Sequence, residues 1–218
     1  MREITALIHK DLMLELRQKY AINGILLYVF STIFVVQLSF GRVIGDTTWI
    51  ALFWVILLFA AFNAVSKSFV QESSARRLYY FTLASPVSVI ASKMIYNALL
   101  MVFLGGLSLG IYTLFMGMPA LGMSLFLPAF ILGCIGLATA ITMVSAIASR
   151  TGNNTALTAI LGFPVVLPLL LLLIKASQLS LSRSVADIEM LKLLLSITLI
   201  DAVVVILAIV LFPYLWRD

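Results

Sequence analysis

Residue types able to do chemistry are few in this sequence and stand far apart. One histidine, His9, and one cysteine, Cys134, among 218 residues leave no material for a Cys/His or Ser/His/Asp nucleophilic arrangement, a His/Cys metal site or an intrachain disulfide. No G-x-x-x-x-G-K-[ST] stretch occurs, so a nucleotide is not cradled by that route, and any ATP used is hydrolysed by another polypeptide. H-E-x-x-H is absent too, as is any pair of carboxylates within an apolar stretch. One ionisable acid remains there, Asp201. An ionised, lipid-facing carboxylate at that depth costs about 2.5–3.5 kcal/mol on insertion scales, so Asp201 is expected to face protein or water. Two readings stand open: a group in a translocation path or coupling bond, or a structural hydrogen bond to Asn63, Asn97 or Thr142.

The elements that must position these residues follow from composition. The chain is 63% apolar and 11% charged, carries a net charge of +5 and has a mean hydropathy of +1.17. A soluble domain is about 45–50% apolar and about 25% charged, so the expected solvent is lipid. Charges this few and scattered make no nucleic-acid surface. A hydrocarbon core about 30 Å thick needs roughly 20 apolar residues per helix. Six such stretches run approximately over Ile22–Gly41, Trp49–Val65, Met94–Met116, Leu125–Ala148, Thr155–Ile174 and Leu193–Tyr214. The fold class is therefore an all-α, six-helix membrane bundle over residues 21–218, with an interfacial amphipathic helix over residues 1–20.

Six spans put both termini on one side, and the basic residues choose it. With the amino terminus in the cytoplasm, Arg2, Lys10, Arg17, Lys19, Lys67, Arg76, Arg77, Lys93, Arg150 and Arg217 lie inside. Arg42, Lys175, Arg183 and Lys192 lie outside. The excess predicts amino and carboxyl ends in the cytoplasm, Tyr214 and Trp216 at the inner headgroup level, and span one as an uncleaved anchor.

In residues 1–20, Ile4, Leu7, Ile8, Leu12, Leu14 and Leu16 share a broad helical arc opposite Arg2, Glu3, His9, Lys10 and Arg17, the pattern of a helix lying on a membrane surface. Asp11 and Glu15 fall inside that arc. Either they pair along the helix, as Glu15 and Lys19 can at i,i+4, or they face the basic inner segment carrying Arg76 and Arg77. That segment, between spans two and three, mixes Lys67, Glu72, Arg76 and Arg77 with Phe69, Leu78, Tyr79, Tyr80 and Phe81. It reads either as interfacial anchoring or as a surface for a docked protein. Ser85 before Pro86 is a helix-start signal, a hydroxyl cap followed by a residue with no N–H to lose.

Pro164 and Pro168, four apart in span five, each remove a backbone donor and predict a broken or kinked helix, able to line a path or act as a hinge. Gly106-xxx-Gly110 and the run Ala138, Thr142, Ser145, Ser149 present small faces and predict close helix packing. Met116, Met118 and Met123 read either as a soft-metal site or, with no Cys or His beside them, as apolar filler, the reading preferred.

This arrangement resembles the permease subunit of an ABC-2-type transporter, and within that group the heme exporter B (CcmB) family of cytochrome c maturation. The matching stretches are Lys10-Asp11-Leu12 through Glu15-Leu16-Arg17, Phe69-Val70-Gln71-Glu72, Leu83-Ala84-Ser85-Pro86, Ile90 to Lys93, Phe163-Pro164 and Leu167-Pro168-Leu169-Leu170. The resemblance implies a bacterial inner-membrane complex with a separate ATP-binding ABC subunit (CcmA-like), a heme-handling subunit (CcmC-like) and a small CcmD-like subunit. A homodimer of this chain is compatible with it. Heme is implied as cargo of the complex, with no cofactor resident in this chain, which lacks a Trp-Trp-Asp element and an outer-face histidine. It also implies that residues 66–92 couple to the ATPase, with Glu72, Arg76, Arg77, Leu78, Tyr79 and Pro86 as contacts. Ser73 and Ser74 follow Glu72 where many ABC-2 relatives carry a glycine. Competing readings are an ABC-2 permease for a lipid, glycan or drug, and a non-transporting scaffold for cytochrome assembly.

Overall fold

A computed structural model describes residues 2–17, 19–41, 44–66, 85–117, 119, 122–149, 155–181 and 187–217. Among these residues every regular element is helical: α1 (Arg2–Arg17), α2 (Lys19–Phe40), α3 (Asp46–Val65), α4 (Pro86–Met116), α5 (Met123–Ala148), α6 (Thr155–Leu179) and α7 (Asp187–Arg217). Helices α2 to α7 are each long and apolar enough to cross a bilayer, because in hydrocarbon the backbone must satisfy its own polar groups. Several helices outrun the apolar stretches that betray them. Helix α7 begins at Asp187 and α6 continues to Leu179, since helical hydrogen bonding does not stop where the apolar run does. The surface helix is shorter than residues 1–20, ending at Arg17 with α2 starting at Lys19.

Helix α4 starts where Ser85 and Pro86 dictate. Pro86 occupies the first turn, and the Ser85 hydroxyl accepts from the Ser88 N–H at 3.2 Å. Its 31 residues span about 46 Å at 1.5 Å each, more than a hydrocarbon core. It ends at Gly117, whose φ of 76° is open to a residue without a Cβ.

Helix α5 is the axis of the bundle, packed against α3, α4, α6 and α7. Its apolar window is 78% buried, against 17% for α2 and 22% for α7, so α2 and α7 lie at the rim. Glycines set how closely the neighbours approach α5. A Cβ at Gly133 would meet the Trp54 ring of α3 at 2.5 Å and Leu173 of α6 at 2.8 Å. One at Gly136 would collide with Leu169 and the Asp201 carboxylate. Ala138, Thr142 and Ser145 are buried as predicted.

The Gly106-xxx-Gly110 prediction is corrected. Both glycines are exposed, and a methyl group added to either would meet no atom within 4 Å. They lie alongside exposed Leu99, Phe103 and Leu114. The inward register on α4 is instead Met101, Leu104, Gly105, Ser108 and Tyr112, and Gly105 faces the Cys134 sulfur.

Prolines 164 and 168 do not break α6, which runs unbroken from Thr155 to Leu179. Both are exposed, as are Ile160, Leu161, Leu167 and Leu171, so they lie on the outer side of the bundle and line no internal path. A proline on a rim helix has room for its ring away from neighbouring helices.

Candidate functional site

Helix α1, the start of α4 and the last turns of α7 lie at one end of the bundle, the end of the termini. The start of α3 and the ends of α4 and α6 lie at the other, where the Trp49 indole donates to the Gly117 carbonyl and the Gly122 N–H to the Ser180 carbonyl at 2.8 Å. At the termini end α1 packs mainly on α4. Ile4, Leu7, Ile8, Asp11 and Leu14 are half-buried, while His9, Leu12 and Met13 are exposed. The protein-facing stripe therefore recurs every three to four residues and includes an acid. Asp11 pairs with Lys93 of α4 (Oδ2 to Nζ, 3.7 Å) and with neighbouring Lys10 (Oδ1 to Nζ, 2.9 Å).

The Lys93 side chain is only 4% exposed and that of Asp11 10%. A pair so shielded is weakly screened by salt, and losing either member removes a compensating charge from a dry place. Asp11 thus pairs both along its own helix, with Lys10, and across to α4, with Lys93; Arg76 and Arg77, the partners expected from sequence, lie outside the described residues. Glu72, Leu78 and Tyr79 also lie outside them. Of the coupling residues only Pro86 is described, two turns before Lys93 on α4.

One turn deeper, the Asn97 amide donates to the Thr142 hydroxyl at 2.9 Å, and that hydroxyl donates to the Ala138 carbonyl. Asn97 Oδ1 and Ser145 Oγ have no hydrogen-bond partner among the described residues. Asp201, midway along α7, is 8% exposed and is a further buried polar group of the bundle. It lies against Gly136 and Leu169, and its Oδ2 has no partner among the described residues. The hydrogen bonds anticipated for it do not form. Asn97 and Thr142 bond to each other, and the exposed Asn63 amide donates to the Phe59 carbonyl of its own helix. The cause is rotational: Thr142 of α5 faces α4, with residue 138 on the same side, whereas residue 136 is turned about 200–240° from them at 100° per residue and faces α7.

Among the described residues nucleophilic chemistry finds no machinery. Gly106-Leu107-Ser108-Leu109-Gly110 has the G-x-S-x-G spacing of a nucleophile elbow. Ser108, however, lies inside a continuous helix, buried, with its hydroxyl donating to the Leu104 carbonyl at 2.7 Å. The strand-to-helix elbow that exposes such a serine is absent from α4. Among the described residues no three His, Cys, Asp or Glu side chains cluster.

Six apolar helices with α5 as their axis, and a charged surface helix clasped to one end, define a multi-pass membrane protein. The CcmB protein family model matches residues 2–212, and the chain belongs to that family. Its members are membrane subunits of the heme exporter of cytochrome c maturation, which also contains an ATPase and further membrane subunits. No curated protein and no solved structure gives a match.

Proposed function

We propose that this chain is the permease subunit that transmits movement of a separate ATP-binding subunit (CcmA-like) to the opposite end of the bundle. There a heme-handling subunit (CcmC-like) would meet it, with a small CcmD-like subunit alongside. Heme is cargo of this complex and not a resident group. The setting is the bacterial inner membrane, with both termini cytoplasmic. The carrying observation is the Asp11–Lys93 pair. It joins the two elements the ATPase would grip, the surface helix and the end of segment 66–92, to the same membrane helix. Motion applied to either reaches α4, and α4 packs on the axial helix α5.

A motor shifts such a bundle only by binding its two states unequally, so the contact surface must differ between them. Glu72, Arg76 and Arg77 are the polar groups proposed for that surface. Pro164 and Pro168 supply compliance. Each leaves a backbone carbonyl one turn earlier without its donor, so α6 bends more readily than its neighbours.

The test is ATP hydrolysis by the purified complex. Glu72→Ala and Arg76→Ala should lower it with assembly intact. Unchanged turnover in both, or copurification of a heme-free ATPase that responds to a lipid or drug, would favour a different permease reading. Copurified partners with no effect of this chain on ATPase rate would leave only a scaffold.

A further inference from the structure

Between the last turn of α6 and the first turns of α7, at the end away from the termini, lies an open cleft of about 490 Å³. It is lined by Lys175, Gln178, Leu179, Glu189, Lys192 and Leu193. That volume lies in the range of small-ligand sites, about 300–1,000 Å³. Among the described residues no ion pair within 4.0 Å consumes either lysine or Glu189. Two ammonium groups therefore share an apolar-walled cleft with a single carboxylate, Glu189, that engages neither within 4.0 Å. With both termini cytoplasmic these lysines lie on the side where basic residues are sparse, and short-loop lysines there work against the orientation signal. A feature that opposes insertion needs another use.

We propose that this cleft binds the anionic headgroup of an amphiphile, a phosphate or carboxylate on an apolar body. Lys175 and Lys192 contact the anion, Gln178 adds a neutral donor, and Leu179 and Leu193 lie along the first carbons of the apolar part. Aliphatic lysine stems suit this place, resting on apolar surface while the charged heads reach the interface. Glu189 tempers the site, lowering affinity for bare anions and favouring headgroups that also present a donor. The proposal is independent of which motor drives the bundle.

The experiment is native mass spectrometry of the purified full chain in neutral detergent. It is titrated with phosphatidylglycerol, with oleate, and with phosphatidylcholine as the reference without net charge. Wild type should retain one of the two anionic probes at least tenfold better than the variant Lys175→Gln/Lys192→Gln. Lys175→Arg/Lys192→Arg should bind within threefold of wild type, and Glu189→Gln should bind two- to threefold better. Retention of phosphatidylglycerol assigns a phosphate source and retention of oleate a carboxylate. Arg2→Gln, which removes one charge at the opposite end, should change nothing. Equal retention by wild type and the double glutamine variant, an equal loss in Arg2→Gln, or no preference over phosphatidylcholine would each overturn the proposal. Should the glutamine variant fail to fold, unaltered affinity in Glu189→Gln overturns it equally.

Discussion

Around Phe53, in the half of the bundle away from the termini, aromatic rings fill the core. Trp49, Trp54, Tyr112, Phe126 and Phe130 all lie with ring centroids 5.6–6.4 Å from that of Phe53. Their polar ends are spoken for. The Trp49 indole donates to the Gly117 carbonyl at 3.0 Å, the Trp54 indole to the Ser177 hydroxyl at 2.9 Å, and the Tyr112 hydroxyl to the Trp49 carbonyl at 3.1 Å. Around Lys93, in the half nearest the termini, the interior instead holds a charged pair and a buried amide, and Asn97 Oδ1 and Ser145 Oγ lack partners among the described residues. In lipid, where tails are as apolar as the core, packing and hydrogen bonds decide helix association. The first half is thus built to hold one arrangement. The second keeps polar groups whose partners can change, as the proposed coupling to a separate motor requires.

The comparison can be broken at four places, from the largest expected effect to the smallest. Gly133→Ala drives a methyl into the Trp54 ring and Leu173 and should cost about 3 kcal/mol of unfolding free energy, the upper range for overpacking. Lys93→Met should cost about 2 kcal/mol, less than the roughly 3–5 of a fully orphaned buried charge because Lys10 still serves Asp11. It should also lower ATPase coupling in the complex, and Lys93→Met with Asp11→Leu should recover the stability but not the coupling. Tyr112→Phe should cost about 1 kcal/mol, one intramembrane hydrogen bond, and leave coupling intact. Gly106→Ala should stay within about 0.5 kcal/mol, or gain slightly from helix propensity. Steric trapping in bicelles, with ATP turnover measured in parallel, reads all four. A coupling defect in Tyr112→Phe with none in Lys93→Met would invert the assignment of the halves.

The site is legible in the sequence only in part, and the reasons differ by residue. Asp11 stands out because an acid inside an apolar arc demands an account. Its partner is hidden because Lys93 is 82 positions further on and pairs only when α1 crosses beside the start of α4. Asp201 is conspicuous for the same reason as Asp11, yet the partners expected for it are the wrong ones, since a neighbour's rotation cannot be read from an apolar helix. Ser108 carries a signal in its flanking glycines, and only burial shows that signal to be empty.

Sequence by itself determined the number of spans, their order, the surface helix and the start of α4 at Pro86. These depend on the length of apolar runs against bilayer thickness and on local capping chemistry, both properties of contiguous residues. Tertiary structure alone decided that α5 is the axis, that Gly105, Gly133 and Gly136 face inward while Gly106 and Gly110 face out, and that α6 continues through its prolines. A helix apolar on every side carries no stripe to mark its buried face. Its rotation is fixed only when neighbouring side chains compete for the same space.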